Sequence, residues 1–343
     1  ASSATVVNKQ GLIETVQSGI PRIDFSDDVN GALLLEPQRS NAITNSETFG
    51  STGWGFVTTG TAIAPIVTDD YAISPDGTQN AQRIQFNLGG GSPSRTLIRQ
   101  SFSSQTDWML SVWMKSTNGT EQKILWHSNT DNNETIITGE WQRFTYNRNG
   151  ISNSWAGLGL NGGVSTVGTA DILVYGFQAE QSSYATSYIP TQGAISTRLA
   201  ESCSQTPPSG VIGQTEGTVF LDSKMALQNI NNFQLFSINN GGSSDRIRVL
   251  TATAGRLRFI YQLNSGVSYS FYNPTDYSDL TSLKIAFTYK SGDIKVYING
   301  VLVDSSTNTF TIAQTLTNID IATSAGGYNQ MLFNDVQLYN TAL

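Results

Sequence analysis

The sequence predicts an all-β protein: two antiparallel β-sandwiches (jelly rolls) in series, preceded by an extended N-terminal arm. Three observations carry this. Charged residues make up only 13% of the 343-residue chain, where an average globular domain carries roughly 25%. Ser, Thr, Asn, Gln and Gly stand in their place. Apolar and polar residues alternate with period two in several short runs, the pattern of half-buried strands. The 32 glycines and 9 prolines separate such runs at turn-like intervals.

The elements follow in order. Residues 1–45 include SGIPRIDFSDDVNGALLLEPQRSN. Pro21 and Pro37 disfavour a helix between them. Leu33, Leu34 and Leu35 form a greasy run that must be buried, so this stretch reads as an extended arm packing on the next domain or on a neighbouring subunit. Residues 46–192 read as the first jelly roll. Ile84, Phe86 and Leu88 alternate with Arg83, Gln85 and Asn87, and further strands begin at Trp108 and Trp141 and run through ADILVYGFQAE. All six tryptophans fall in this segment.

Residues 193–215, with Pro207 and Pro208 among small polar residues, read as a linker. Residues 216–343 read as a second, tryptophan-free sandwich. In RIRVL, Ile247 and Val249 take one face and Arg246 and Arg248 the other. Ile294, Val296 and Ile298 alternate up to Asn299-Gly300, a hairpin signal because a type I′ turn needs positive φ at both positions. The loss of tryptophan across the linker points to two separate cores.

Several function classes are excluded or weakened. The formal charge is -7 with no Lys/Arg cluster, which argues against a nucleic-acid partner. The single cysteine, Cys203, allows no intrachain disulfide and no cysteine-based zinc site. No apolar run approaches the ~20 residues of a membrane-spanning helix. The N-terminal ASSATVVNKQ lacks the apolar core of a signal peptide.

Enzyme chemistry finds few groups to use. His127 is the only histidine, and nucleophile-elbow, HExxH and phosphate-loop patterns are absent. The chain therefore reads as non-enzymatic, with no cofactor. Asp27-Asp28 and Asp69-Asp70 are adjacent pairs. On a strand they would point to opposite faces, whereas in a loop such pairs suit a structural calcium ion. No ligand set can be assigned from spacing.

What remains is an aromatic supply in a polar, Asn-rich frame. Rings stack on the C–H faces of sugars, while amides and carboxylates read the hydroxyls. Trp126 and His127, followed by Asn129 and Asp131, have that composition, as does Trp155 near Asn153. In the second sandwich, Tyr269 and Tyr272 precede Asn273. These seven residues are the candidate carbohydrate-binding set. Core packing is the competing reading for each ring, because a tryptophan or tyrosine within a strand commonly faces inward.

Three segments resemble known families. SGIPRIDF, GALLLEPQRSNAITNSETF and Trp54, together with VYGFQAEQSSYATSYIPTQGAISTRLAE from Val174 to Glu201, resemble phage tail and fibre proteins. In those, an arm leads into a carbohydrate-binding-module-like jelly roll. GTVFLDS at Gly217, LKIAFTYK, IKVYINGVLV and the final FNDVQLYNTAL resemble concanavalin-A-like, laminin-G-like sandwiches. That resemblance implies a last strand lying beside the first, with Phe333, Val336, Leu338 and Leu343 helping to close the core.

Together the resemblances imply a virion structural or surface protein that contacts cell-surface or polysaccharide glycans and other virion proteins. They also imply a homo-oligomer, with a trimer favoured. The alternative is a secreted bacterial carbohydrate-binding or adhesive protein.

Overall fold

The computed structural model of the chain describes residues 4–90, 93–128, 132–148, 150, 152–225, 232–263, 266–277, 281–322 and 330–343. The strand pairings are antiparallel. Among the described residues there is no α-helix, and the one helical turn is the 3-10 turn Thr253–Gly255. No helix among them is long and apolar enough to cross a membrane.

One compact unit comprises residues 39–198 with the N-terminal residues as far as Ser18. Two five-stranded sheets form it. The first runs in the spatial order Gln142–Arg148, Trp108–Ser116, Thr169–Gln181, Gln79–Asn87, Ile63–Ile73. The second runs Asn132–Ile137, Gln122–His127, Asn153–Asn161, Arg95–Gln105, Trp54–Thr59. Alternation sends every second side chain inward. Ile84, Phe86 and Ile172 of one sheet thus share a core with Ile98, Trp126 and Leu158 of the other.

Thr169–Gln181 is buried on both faces over most of its length. Its second face packs Tyr175 against Tyr188 and Ile13, the latter from the hairpin Ala4–Val7/Ile13–Val16. Double burial explains why its sequence is a near-continuous apolar run rather than an alternation. Gly176 sits in this strand at φ +65°, where a Cβ would lie 3.1 Å from the Trp113 ring and 3.2 Å from the Tyr188 ring. Only glycine fits there. Asn41 ties the unit together from a fully buried position. Its amide donates to the carbonyls of Phe177 (3.2 Å) and Ile189 (3.0 Å), and its Oδ1 accepts from the Ile43 (3.1 Å) and Ala179 (3.0 Å) amides.

The other unit comprises residues 19–38 and 199–343. It is a sandwich of a seven-stranded and a six-stranded sheet. The seven run Val301–Ser306, Ile294–Ile298, Thr281–Lys290, Glu216–Met225, Met331–Tyr339, Ala32–Leu35, Ile23–Asp24. The six run Cys203–Gln205, Asn318–Ile321, Gln234–Asn239, Arg246–Ala252, Arg256–Leu263, Gly266–Tyr272. Val219, Leu221, Ile285, Phe287 and Val296 from the first sheet meet Phe236, Ile247, Val249, Phe259 and Tyr261 from the second. Asn299 and Gly300 adopt φ of 51° and 80° between their two strands, as the hairpin signal requires.

Residues 1–45, expected as one arm, divide between the two units. Ala32–Leu35 becomes an inner strand beside Met331–Tyr339, and Leu35 enters the core. Arg22, Glu36 and Glu201 form a buried ion network in this unit. Arg22 Nε donates to Glu201 Oε1 at 2.7 Å and Nη2 to Glu36 Oε2 at 2.9 Å. The conspicuous Arg and Glu residues of the arm motif therefore hold the chain together.

Residues 193–215, expected as a linker, carry the strands Ser196–Arg198 and Cys203–Gln205, which pair with Arg39–Asn41 and Asn318–Ile321. Three-residue strands are too short to show a period in sequence. The last strand does run beside Glu216–Met225. Phe333 is in the core and Val336 and Leu338 pack against it, but Leu343 is 67% exposed and does not close the core.

Candidate functional site

The site forms on the outer face of the seven-stranded sheet. Alternation that buries Val219, Leu221, Ile285, Phe287 and Val296 turns Phe220, Asp222, Lys284, Ala286 and Tyr297 outward. On Met331–Tyr339 simple alternation fails. Phe333 pairs with Ser223 and Asp335 with Asp222, so Asn334 is an extra residue, a β-bulge. The bulge lets Phe333, Val336 and Leu338 all face inward while Asp335, Gln337 and Tyr339 face outward.

Cross-strand register orders these side chains into three rows. Lys284, Asp222 and Asp335 form a charged row. Tyr297, Ala286, Phe220 and Gln337 form an aromatic row with a small residue in its middle. Thr288, Thr218 and Tyr339 form a hydroxyl row. Together with Leu343 they line a groove of about 640 Å³. Thr218 Oγ1 donates to the Thr341 carbonyl (2.9 Å) and accepts from the Leu343 amide (3.0 Å), which fixes the C-terminal residues at the rim.

Two carboxylates directly opposite each other across a strand pair repel. Here Lys284 Nζ lies 3.5 Å from Asp222 Oδ2. On the other strand the Gln337 amide donates to Asp335, and the Tyr339 hydroxyl donates to Gln337 Oε1. The floor is thus a connected polar strip beside aromatic faces. Tyr339 is 39% exposed and Phe220 and Tyr297 are half-buried. Rings held by the sheet with one face open are suited to stacking on an apolar ligand face, while the amide and carboxylates accept and donate hydrogen bonds.

Of the seven residues nominated from sequence, five are described: Trp126, His127 and Trp155 in one unit, Tyr269 and Tyr272 in the other. Trp126 is buried in the core, stacked on Tyr146, with its Nε1 donating to Thr135 Oγ1 at 3.1 Å. It has no face to offer a sugar: its polar neighbours belong to the end of the strand, whereas its own side chain follows the inward phase. His127 takes the opposite phase yet is also buried, and burial together with the Arg95 charge pushes its pKa down to about 4. Asn129 and Asp131 lie outside the described residues.

Trp155 is half-buried with the Arg99 guanidinium 4.8 Å from its ring centre. Tyr269 is buried and donates to Asp304, whereas Tyr272, three positions on, is 51% exposed on the opposite face. Asp27 pairs with Lys224 at 2.6 Å, and Asp28 Oδ1 accepts from the Asn30 amide at 2.8 Å. Among the described residues no group of three or more His, Cys, Asp or Glu is placed to hold a metal ion.

The groove is not legible in the sequence, because its aromatics are single residues far apart in the chain. The signal that would have found them is phase. Phe220 and Tyr297 occupy the outward positions of strands whose other positions are core.

Comparison with known proteins places this unit in context. Residues 222–343 match the sequence model of the concanavalin A-like lectin/glucanase superfamily, its Laminin_G_3 branch. No curated protein matches the chain in sequence. Among solved structures, the binding domain of botulinum neurotoxin serotype D is 17% identical at a TM-score of 0.35, covering 41% of this chain and 38% of that one. A structure of botulinum neurotoxin type C, described with its cell entry through two ganglioside molecules, is 13% identical at a TM-score of 0.34, covering 41% and 37%. The carbohydrate-binding module CBM66 from Bacillus subtilis is 10% identical at a TM-score of 0.28, covering 40% and 77%. The chain spans well under half the length of the toxin structures.

Proposed function

We propose that the seven-stranded face is a carbohydrate-binding site and that the chain works as a non-catalytic, lectin-like module. The observation that carries this reading is the groove itself. Three aromatic side chains and a connected strip of carboxylate, amide and hydroxyl groups share one open sheet face, and all of them but Thr218 and Phe220 lie within the segment, residues 222–343, that matches the lectin/glucanase family. An extended saccharide lying across the strands meets the aromatic row with its C–H faces and the charged row with its hydroxyls.

A glycan array followed by calorimetry on the full chain tests this. Tyr297→Ala and Tyr339→Ala are expected to weaken the best array ligand about tenfold or more, ~1.4 kcal/mol each. An array with no ligand, or ligands bound unchanged by both variants, would refute the site.

Asp222 and Asp335 in direct register favour a second reading, hydrolysis of a glycosidic bond by paired carboxylates. The same samples decide it. The binding reading expects no new reducing ends after prolonged incubation with the bound polysaccharide, and their release, abolished by Asp222→Asn, would establish the enzyme instead.

The resemblance of the arm and of the Val174–Glu201 segment to phage tail and fibre proteins supports placing this module on a virion surface. There it serves host attachment or spacing as a homotrimer. Light scattering and antibody labelling of virions test that placement. A monomer found only in bacterial culture medium would move the assignment to a secreted bacterial adhesive protein.

A further inference from the structure

The opposite sheet of the same unit carries a second feature, unrelated to the groove. Arg246 and Arg248, the outward residues of RIRVL, share their face with Arg258 of the next strand, which pairs with Leu250. The sequence shows no basic cluster, and strand pairing creates one. A cleft of about 360 Å³ opens there, walled by Arg246, Arg248, Asn239 and Gln234.

The charge pattern is uneven in an informative way. Six other cations of the unit each pair with a carboxylate: Arg22, Lys224, Arg256, Lys284, Lys290 and Lys295. Among the described residues no ion pair serves Arg246, Arg248 or Arg258. Arg248 Nη2 donates to Gln262 Oε1 at 2.8 Å, while the buried Nε atoms of Arg246 and Arg248 meet no acceptor. Asp320 also lines the cleft, but its oxygens accept from Asn239 Nδ2 and Ser204 Oγ, each at 2.6 Å. Burial, with Arg246 and Arg258 nearby, pushes the Arg248 pKa down to about 10. Three half-exposed cations with no carboxylate partner on one face of an acidic protein make that face the favourable place for an anion.

We propose that this cleft binds an oxyanion, a sulfate or carboxylate group, of an acidic polysaccharide. Arginine forks match both groups bidentately. Tyr272, 51% exposed and 4.6 Å from the Arg258 guanidinium, extends the face with a ring for the adjoining sugar. The cleft is sized for one or two such groups.

Calorimetry of the full chain with heparin (sulfated) and polygalacturonate (carboxylated), at about 50 and 200 mM salt, tests it. At least one is expected to bind, more weakly at higher salt. Arg248→Gln and Arg258→Gln should each cost about tenfold. Arg256→Gln, on a cation already paired with Asp276, should cost nothing. Tyr297→Ala should leave this binding intact, which separates it from the groove. Arg248→Gln should melt at or above the wild-type temperature, because its charge has no carboxylate partner to lose. The proposal is overturned if neither polymer binds at low salt or if both glutamine variants bind unchanged. Equal affinity for single-stranded DNA, or an Arg248→Gln variant that melts lower, also overturns it.

Discussion

His127 shows what burial does to a single residue. Its ring is 3% exposed, Nε2 has no hydrogen-bond partner, and its pKa falls to about 4 because burial and Arg95 disfavour the cation. The folded pKa is depressed, so the unfolded chain takes up the proton first as pH falls. Stability is therefore full above the ordinary value near 6.5 and is lost between there and about pH 4, by up to about 3 kcal/mol. Urea denaturation at pH 7 and pH 4.5 should show that loss, and His127→Leu should lack this part of it. An equal pH dependence in both proteins would mean that carboxylates alone set the acid limit. The same residue shows why local composition does not mark a binding site. Trp126 and His127 sit in polar sequence, yet strand phase and packing bury both, while the outward-facing rings Tyr297 and Tyr339 have ordinary neighbours.

At the level of the strand, the bulge at Asn334 decides what the groove contains. Removing Asn334 would leave Phe333-Asp335-Val336-Gln337-Leu338 in clean alternation, with every side chain on its present face. Deleting Asn334 is thus expected to keep the fold and saccharide binding, with a change in Tm of a few degrees at most. Deleting Val336 would instead send Gln337 inward and Leu338 outward, because a one-residue slip flips every following side chain. That variant is expected to be unfolded by near-UV circular dichroism. If the Asn334 deletion unfolds as readily, the bulge has another structural task. The alternating runs and the Asn299-Gly300 turn were legible in the sequence, since period and turn chemistry are local. The bulge was not, because FNDVQLY supports two phases until Phe333 and Leu338 are both required by one core.

For the whole molecule, the path of the chain matters more than the order of its segments. Residues 19–38 belong with 199–343, although the jelly-roll strands come between them in sequence. A fragment starting at 199 therefore lacks the strand that carries Leu34 and Leu35. Losing two buried leucines costs roughly 4 kcal/mol, or about 10 °C in Tm. Adding residues 19–38 through a flexible linker should restore it. A fragment of 199–343 that melts like the fused form would show that the early strand is dispensable. By itself the sequence determined that the protein is all-β, built on two cores, poor in catalytic groups and turned at Asn299-Gly300. Those properties follow from composition and from interactions a few residues apart. Only the tertiary structure decided which strands pair across hundreds of residues, that Arg22 and Glu36 of the arm close a buried ion network with Glu201, and that Phe220, Tyr297 and Tyr339 share a face. Each depends on register between distant strands, which local alternation leaves open.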